Sequence, residues 1–300
     1  MSSNMHTTVL LKESVEALNL ERGAVVVDGT LGAGGHSLEI CNQFGSDVKV
    51  VAFDLDTDAI DRAKARIEPT GCNITYHQVN FKDLDQVLVE LSIPSVDGIL
   101  LDLGFSSDQL ESGGRGISFK KDEPLQMTLK KVLGESEFDA SDIVNTWAEE
   151  DIANVIYAYG EERFARRIAR EIVETRDEAP LKTTTDLVKV IMSAVPSFYR
   201  HGKIHPATKT FQALRIAVNG ELESLKIVLV KGFDVLKKGG RFSIITFHSL
   251  EDRIVKNFFR DKDKEGLATL VTKKPIVPSD EELKENPRAR SAKLRTLQKI

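Results

Sequence analysis

The chain has 300 residues, of which 41% are hydrophobic and 29% are charged, with 20 Gly and 9 Pro. This length predicts about two domains, and the composition excludes a collagen, a coiled coil and a low-complexity disordered chain. No apolar run approaches the roughly 18 residues of a membrane span. The start, Met1–Asn4, lacks the basic and apolar regions of a signal peptide. We therefore expect a cytoplasmic protein without a membrane partner.

The chain contains two cysteines, Cys41 and Cys72. They form no Cys-x-x-Cys motif and belong to no Cys/His cluster, so the sequence predicts neither a disulfide framework nor a zinc site. We expect both to be small core residues and expect no bound metal.

The net charge of −5 conceals an uneven distribution. Residues 1–160 carry 12 Lys and Arg against 27 Asp and Glu, whereas residues 161–300 carry 29 against 19. No acid occurs between Asp186 and Glu221, a segment that contains Lys189, Arg200, Lys203, Lys209 and Arg215. The last fifteen residues add Arg288, Arg290 and Arg295. Such asymmetry indicates a polyanionic partner, with a solvated basic face that binds nothing as the alternative.

Short β-branched runs alternate with helical patterns in the first third of the chain. The runs predict strands, and helices are predicted between them; the strands are residues 24–30, 48–54, 73–79 and 96–102, and the helices are residues 37–44, 59–67 and 83–92. Asp56 and Thr57 are placed to cap the second helix. This alternation predicts a mostly parallel sheet with helices on both faces, an α/β fold of the doubly wound type.

The alternation stops after Gly104, because the next convincing strand, residues 240–247, begins 136 residues later. A crossover between parallel strands needs only a dozen residues or more. The intervening periodicity is helical, as in Phe164, Ile168 and Ile172, and Thr184 or Thr185 is placed to cap a helix over residues 187–195. We therefore predict a helical domain at residues 105–215, inserted into an α/β core of residues 1–104 and 216–300.

The predicted return to the sheet is one long helix from about Thr210 to Lys237, ended by Gly239 and Gly240. Ser249 is then placed to cap a further helix that reaches about Asp261. Residues 267–272 and 292–298 are predicted to be the closing strands.

The segment Asp28–His36 places four glycines between a strand and a helix. Glycines there let a ligand approach the backbone and the helix N-terminus, at the sheet edge where ligands of open α/β sheets bind. The dinucleotide pattern Gly-x-Gly-x-x-Gly fails, since the third glycine position is Ser37, and no Gly-Lys-Ser/Thr is present. The alternative is a purely structural turn.

Asp54 ends the second strand, 22 residues after Gly32. A carboxylate at that place can accept hydrogen bonds from both ribose hydroxyls of an adenosine. It could instead cap the next helix, but Asp56 and Thr57 are better placed for that. The turn and the acid together indicate an adenosyl cofactor without a pyrophosphate, and S-adenosylmethionine fits this description.

Other candidate residues follow the remaining strands. Phe81 could cover an adenine ring or belong to the core, and Asp102 could bind the methionine ammonium, bind a substrate amine or cap a turn. Gly113–Gly116 is interpreted as a mobile flap or as a hinge into the insertion. His248 ends the fifth strand and faces the same cleft, or is a hydrogen-bonded core or cap residue.

The motifs jointly resemble the RsmH (MraW) family, bacterial methyltransferases that modify the exocyclic amine of a cytidine in small-subunit ribosomal RNA. The resemblance runs from His6–Leu11 to the C-terminus. It rests on six separated motifs: Asp28–His36, Asp97–Gly104 with Ser106, Ser107 and Gln109, Tyr159–Ala165, His205–Ala213, Ser243–Arg253 and Asn286–Ser291.

The resemblance implies a class I S-adenosylmethionine-dependent methyltransferase fold with an inserted helical substrate-recognition domain. It assigns the cofactor contacts to Gly34, Gly35, His36, Asp54, Phe81, Asp102 and Gln109, of which Gln109 follows from the resemblance alone. The chain departs from the family where Gln126-Met127-Thr128 replaces the usual Asp-Met-Arg, and it lacks the Asp-Pro-Pro-Tyr motif of many other amino methyltransferases.

The expected reaction is methyl transfer to the N4 amine of a cytidine. That amine is a poor nucleophile, so catalysis depends on positioning and on proton acceptors. Asp102 and His248 are the catalytic candidates, with Phe105 as a stacking surface for the base. The rival interpretations are a nicotinamide dehydrogenase, which the failed glycine pattern disfavours, and a cofactor-free RNA-binding or ribosome-assembly factor, which the intact Gly34, Gly35, Asp54 and Asp102 disfavour.

Overall fold

A computed structural model describes residues 8–104, 114–130, 133–134 and 137–300. The described residues form two compact units. The first comprises the described part of Met1–Ser106 together with Leu222–Ile300, and the second comprises the described part of Ser107–Glu221. Among the helices of the described residues, none combines the length and the apolar character that crossing a membrane requires.

The first unit alternates strands and helices. Its elements are α1 (Leu11–Leu18), β1 (Val25–Asp28), α2 (Gly35–Phe44), β2 (Lys49–Phe53), α3 (Thr57–Ile67), β3 (Asn73–His77), α4 (Leu84–Glu90), β4 (Val96–Asp102), α11 (Glu221–Val235, whose first residue belongs to the second unit), β5 (Leu236–Thr246), α12 (Ser249–Lys264), β6 (Ala268–Leu270), α13 (Asp280–Glu285) and β7 (Lys293–Lys299).

The seven strands form one sheet in the order β3-β2-β1-β4-β5-β7-β6. Neighbouring strands from β3 to β5 are parallel, and β7 runs antiparallel to both β5 and β6. The prediction of a mostly parallel, doubly wound α/β sheet is confirmed. The strand order reverses between β1 and β4. From β1 the chain adds β2 and β3 on one side of the sheet, and it then returns to place β4 on the other side of β1.

Apolar side chains cover both faces of the sheet. On one face, the helices α4, α11 and α12 bury a cluster that includes Leu88, Leu229 and Phe259. On the other face, α1, α2 and α3 bury a second cluster that includes Leu18, Ile40 and Ile67. Burial of this size is the main term that stabilises the unit, since each large apolar side chain contributes roughly 1.5–3 kcal/mol.

The second unit is helical. It contains α5 (Ala140–Thr146), α6 (Glu149–Gly160), α7 (Ala165–Glu178), α8 (Thr184–Ala194), α9 (Ser197–Arg200) and α10 (Ala207–Asn219). These helices bury their own apolar core, in which Ile156, Ile168 and Ile191 are fully enclosed. The helical periodicity at Phe164, Ile168 and Ile172 therefore corresponds to the buried face of α7.

The predicted helix from Thr210 to Lys237 is wrong, because the chain forms two helices there. Gly220 adopts φ +57° and ends α10, its N–H donating to Ile216 O, and α11 starts at the next residue. Gly239 and Gly240 do not end a helix either. They lie within β5, which starts at Leu236.

Two predicted helix caps lie one or two residues from the caps that the structure shows. Thr183, instead of Thr184 or Thr185, caps α8: its side chain accepts the Asp186 N–H, while the Asp186 side chain accepts the Thr183 N–H. His248, instead of Ser249, caps α12. By contrast, Asp56 caps α3 as predicted, accepting the Asp58 N–H.

The two cysteines form a disulfide, Cys41–Cys72, with Cα atoms 5.4 Å apart. The prediction of no disulfide is therefore wrong, whereas Cys41 is buried in the core as expected and the partly buried Cys72 packs against the same core cluster. Cys41 lies on α2 and Cys72 immediately precedes β3. The chain forms β2 and α3 between them and returns so that the two cysteines are adjacent. The 31-residue separation gave no indication of this proximity.

Candidate functional site

The candidate site lies at the carboxyl edge of the sheet, where the strand order reverses between β1 and β4. Ligands of open α/β sheets bind at such a switch point, because the loops after the two strands diverge to opposite faces. Asp28 and Asp102 are the last residues of β1 and β4. The two strands are in register there, with Asp28 opposite Leu100.

Asp102 carries a largely buried carboxyl group with an unsatisfied oxygen. Its backbone N–H donates to Thr30 Oγ1 at 2.6 Å, which fixes the strand end against the glycine-rich loop. Its Oδ1 atom is buried and has no hydrogen-bond partner among the residues that the structure describes. Burial, and then the charges of Asp28 and Glu251, raise the pKa of Asp102 to about 7. A buried acceptor of this kind suits a ligand that brings a donor or a positive charge.

Two further carboxyl groups surround Asp102. Asp28 is 1% exposed and accepts hydrogen bonds from Ser37 Oγ at 2.6 Å and from the Thr30 N–H at 3.1 Å. Burial raises the pKa of Asp28 to about 6, although these two hydrogen bonds act to lower it. Glu251, on the first turn of α12, is also buried and accepts the Phe247 N–H at 2.9 Å. The edge therefore concentrates negative charge, which favours a cationic ligand.

Asp54 follows β2 at the same edge and holds the glycine-rich loop. Its Oδ2 accepts the Gly32 N–H at 2.8 Å, and its Oδ1 accepts the Asp56 N–H at 2.8 Å. Burial raises the pKa of Asp54, while these two hydrogen bonds oppose the rise. Each carboxylate oxygen has a second acceptor site, so the group retains the capacity to accept ribose hydroxyls. The sequence did not indicate the bond to Gly32.

Gly34 and Gly35 cannot be replaced without displacing neighbouring atoms. Gly34 has φ +79°, and a Cβ atom there would lie 2.9 Å from Ile67 Cδ1. A Cβ atom on Gly35 would lie 1.8 Å from Thr8 Oγ1. The packing of the protein itself therefore requires glycine at both positions. Their predicted contact with a cofactor stays a prediction.

His36 connects α2 to the N-terminal segment. It is 4% exposed, and its Nε2 lies 3.2 Å from Val9 O, so this nitrogen carries the proton of that hydrogen bond. Its Nδ1 lies 3.9 Å from Asp102 Oδ2. Val9 and the neighbouring Thr8 thus pack against the start of α2, and His36 faces the carboxyl group of Asp102.

Phe81 begins a short 3-10 helix, Phe81–Asp83, after β3. Its half-buried side chain packs against the core cluster beneath α4, and its Cβ would lie 3.2 Å from a Cβ placed on Gly29. The structure therefore places Phe81 beside the first residue of the loop after β1. Both the adenine contact and the core role that the sequence left open are compatible with this position.

His248 acts as the N-cap of α12. Its Nδ1 accepts the Glu251 N–H at 3.5 Å, and its Nε2 lies 3.2 Å from Glu251 Oε1. The Glu251 side chain returns a hydrogen bond by accepting the His248 N–H at 3.3 Å. This reciprocal arrangement is a capping box. It accounts for His248 as a cap residue, and the predicted catalytic role stays a prediction.

The predicted residues Gln109 and Phe105 lie outside the described residues, as does Gly113. The described part of the predicted flap, residues 114–116, forms hydrogen bonds with other residues of the second unit. The Met127 N–H donates to Arg115 O at 2.7 Å, and the Gly116 N–H donates to Glu123 Oε2 at 3.0 Å.

Comparison with known proteins identifies the family. The model of the MraW methylase family matches residues 3–300. The protein named ribosomal RNA small subunit methyltransferase H of Syntrophus aciditrophicus is 44% identical over 98% of both chains. The protein of the same name from Clostridium botulinum is 46% identical over 98% of this chain and 99% of its own. The chain belongs to the MraW methylase family.

The predicted family, enzyme class and cofactor are thereby confirmed. This MraW methylase is an S-adenosylmethionine-dependent methyltransferase with a class I fold. Among solved structures, an rRNA methylase from Streptococcus thermophilus overlaps 98% of each chain with a TM-score of 0.48 and 12% identity.

The segment in which this methylase departs from the family pattern has a defined structure. Met127 is fully buried with φ +58°, and both its N–H and its carbonyl are hydrogen-bonded, the carbonyl to Asn219 Nδ2 at 2.8 Å. Thr128 is 6% exposed, and its Oγ1 accepts the Lys130 N–H. Thr128 thus closes a local turn, a role that a threonine hydroxyl can fill and an arginine cannot.

Two arginines of the basic segments that indicate a polyanionic partner already have carboxylate partners. Arg215 forms a two-pronged ion pair with Glu221, at 2.9 and 3.0 Å, and both side chains are mostly buried. Arg295 donates to Asp252 Oδ1 at 2.7 Å and is 13% exposed. We therefore remove both from the set of expected phosphate contacts.

Proposed function

We propose that this methyltransferase transfers the methyl group of S-adenosylmethionine to the exocyclic N4 amine of a cytidine in 16S ribosomal RNA, the RNA of the small subunit. The observation that supports the proposed chemistry is the Oδ1 atom of Asp102 at the switch point, which is buried and has no hydrogen-bond partner among the described residues. The relatives at 43–46% identity, all named for the small-subunit RNA, support the substrate.

The residues at the edge suit the cofactor chemically. S-adenosylmethionine supplies a methyl group on a sulfonium sulfur, together with a positively charged ammonium. The carboxyl groups of Asp28, Asp102 and Glu251 provide the negative charge that complements such a ligand. Asp54 accepts the ribose hydroxyls, and Phe81 covers the adenine. Gly34, Gly35, His36 and Gln109 complete the proposed contacts.

The protein contributes mainly positioning to the reaction. The lone pair of the cytidine amine is delocalised into the ring, so the amine must be held in line with the methyl group and turned out of conjugation. Asp102 accepts a hydrogen bond from the amine, which favours that orientation, and then accepts a proton. A carboxyl group whose pKa is about 7 can exchange that proton near neutral pH. His248 is the second proposed proton acceptor, and in that role its Nδ1 would give up the hydrogen bond from the Glu251 N–H to take the proton.

The substrate-recognition domain is proposed at residues 105–215, inserted between the core segments 1–104 and 216–300, and the helical unit of Ser107–Glu221 supports this proposal. Exposed cations, Lys189, Lys203 and Arg290 among them, are proposed to contact phosphates. Because the target is ribosomal RNA, we propose that the enzyme acts in the cytoplasm on the small ribosomal particle.

The test is a methyl-transfer assay with radiolabelled S-adenosylmethionine and small ribosomal subunits that lack the modification. After transfer, the RNA is digested to nucleosides and separated. We expect the label in N4-methylcytidine. Label in another nucleoside, or none in RNA, contradicts the proposed function. The Asp102→Asn variant serves as the matched control, since it keeps the shape of the side chain and loses the proton acceptor.

A further inference from the structure

An arginine of the second unit lies among three aromatic rings. Arg163 Cζ is 4.8 Å from the ring centroid of Phe164, 5.5 Å from that of Phe198 and 5.0 Å from that of Tyr199. We call these four residues the arginine–aromatic cluster. Contacts of this length are within the range of cation–π attraction, and a guanidinium that stacks on rings keeps its N–H edge available for a ligand.

A buried acid holds the cluster in place. Glu162 is fully buried, with Oε1 accepting the Phe164 N–H at 2.8 Å and Oε2 accepting the Tyr199 hydroxyl at 2.5 Å. One carboxylate thereby joins the start of α7 to α9. The resulting order reduces the side-chain entropy that Arg163 and the rings would lose on binding.

The outer surface of the cluster is aromatic and cationic. Phe198 is 67% exposed, an unusual state for a phenylalanine. Arg163, Arg166 and Arg167 are exposed, and within the described residues none of them forms an ion pair. Arg167 adds a second guanidinium 6.0 Å from the Phe164 ring. Phe198 and Tyr199 lie on the acid-free segment between residues 186 and 221.

We infer that the arginine–aromatic cluster binds a single-stranded segment of RNA, with an unstacked base on the exposed ring of Phe198 and phosphates on Arg163 and Arg167. This inference rests on the proposed function for the presence of RNA. Exposed rings beside arginines are the feature by which proteins hold single strands, because every base has a face that stacks and every phosphate accepts from a guanidinium.

The charge of this surface disfavours a second copy of the chain as the occupant. A symmetric contact brings the same surface patch of both copies together. The exposed cations of this patch, Arg163, Arg166 and Arg167, would then lie near those of the other copy, and within the described residues none of the three has an ion-pair partner. A polyanion is instead matched to the surface in charge.

The test measures binding of a fluorescently labelled single-stranded oligocytidylate by anisotropy. Phe198→Ala is expected to weaken binding by about 5- to 150-fold, the loss of one stacked base. The matched control is Tyr157→Ala, which removes an aromatic side chain of 68% exposure from the same unit. No arginine lies over the Tyr157 ring among the described residues, so the control should bind as the parent does.

Charge is tested separately through salt dependence. Arg163→Ala should reduce the slope of log affinity against log salt by about 0.7, the value for one lost contact to a single strand. Arg163→Lys should keep the slope but bind more weakly than the parent, because an ammonium lacks the stacked planar fork. Arg170→Ala is the control, since it removes the same charge from an arginine 3.8 Å from Glu149 Oε1.

The outcomes separate this inference from the proposed function. On small ribosomal subunits, Phe198→Ala should raise KM for the particle, with kcat and S-adenosylmethionine affinity unchanged. The inference is overturned if Phe198→Ala binds the oligonucleotide as tightly as Tyr157→Ala does. It is also overturned if Phe198→Ala changes the oligomeric state of the protein and leaves RNA binding intact. If the parent binds the oligonucleotide through Phe198 and yet does not methylate the particle, the proposed function fails and this site stands.

Discussion

Replacing Asp102 by asparagine removes a buried charge and keeps the shape of the side chain. Folding raises the pKa of Asp102 from 3.8 to about 7. One pKa unit is about 1.4 kcal/mol, so keeping this carboxyl group ionised costs the folded state about 4 kcal/mol at high pH. The side chain is 24% exposed, so water screens part of this cost. We expect the variant to be more stable than the parent by about 2 kcal/mol above pH 7.

The sign of the pH dependence follows from the direction of the shift. Because the folded pKa is raised, the contribution of Asp102 to stability is fully present below about pH 4 and is lost as the pH rises through about 7. Asparagine does not titrate, so the advantage of the variant should grow over that range. Urea unfolding of both proteins between about pH 5 and pH 8 measures the difference.

The control and the activity complete the test. Asp61→Asn changes an exposed aspartate and should show no such difference. The Asp102 variant should also methylate about 10²- to 10⁴-fold more slowly, having lost a proton acceptor. A variant that is less stable than the parent at every pH would refute the reasoning about burial. Methylation at the parent rate would remove Asp102 from the catalytic group.

Three further changes test other parts of the site. Asp54→Ala should weaken S-adenosylmethionine binding at least tenfold in calorimetry, because each charge-assisted hydrogen bond contributes roughly 1.5–3 kcal/mol; unchanged affinity removes Asp54 from the site. His248→Asn keeps an N-cap acceptor, so turnover should fall while the free energy of unfolding changes by less than about 0.5 kcal/mol; an unchanged rate shows that His248 is only a cap. Joint replacement of Arg200, Lys203 and Lys209 by alanine should flatten the salt dependence of RNA binding by roughly 0.7 to 0.9 per lost contact, and an unchanged slope indicates a solvated face.

The sheet was predictable because its strands are buried on both faces. Such strands appear as continuous β-branched runs, and β4 begins and ends at the predicted residues, Val96 and Asp102. The error at Gly220 has a physical origin. Only the folded structure shows that Gly220 adopts the left-handed conformation, φ +57°, that ends α10. A glycine within a helical pattern does not by itself distinguish a tolerated residue from a helix end.

From the sequence, only those candidate residues that follow or end a strand could be placed at the edge of the sheet. The sequence placed Asp54 and Asp102 at one edge because a parallel sheet brings its carboxyl ends there, and the structure shows both at that edge. Their binding roles stay predictions. The sequence did not indicate that Thr8 and Glu251 lie near this edge. Thr8 fills the space beside Gly35, and Glu251 adds charge near Asp102, through packing between segments that are remote in sequence. No spacing rule connects such residues, so only the folded structure reveals them.

The cluster of carboxyl groups also has a consequence for the release of the demethylated cofactor under the proposed function. Burial raises the pKa of Asp28 and of Asp102, so each of these two carboxyl groups costs the folded state more stability as it ionises. A ligand recovers part of that cost in proportion to its positive charge. If the edge binds S-adenosylmethionine as proposed, methyl transfer removes the sulfonium charge from the cofactor, and the product would then interact less favourably with these carboxyl groups than the substrate does. Since binding energy is useful for turnover only where it differs between states, this arrangement favours the charged donor over the neutral product. Under the proposed function, the negative charge of this edge would therefore favour the exchange of the product for a new molecule of the charged donor.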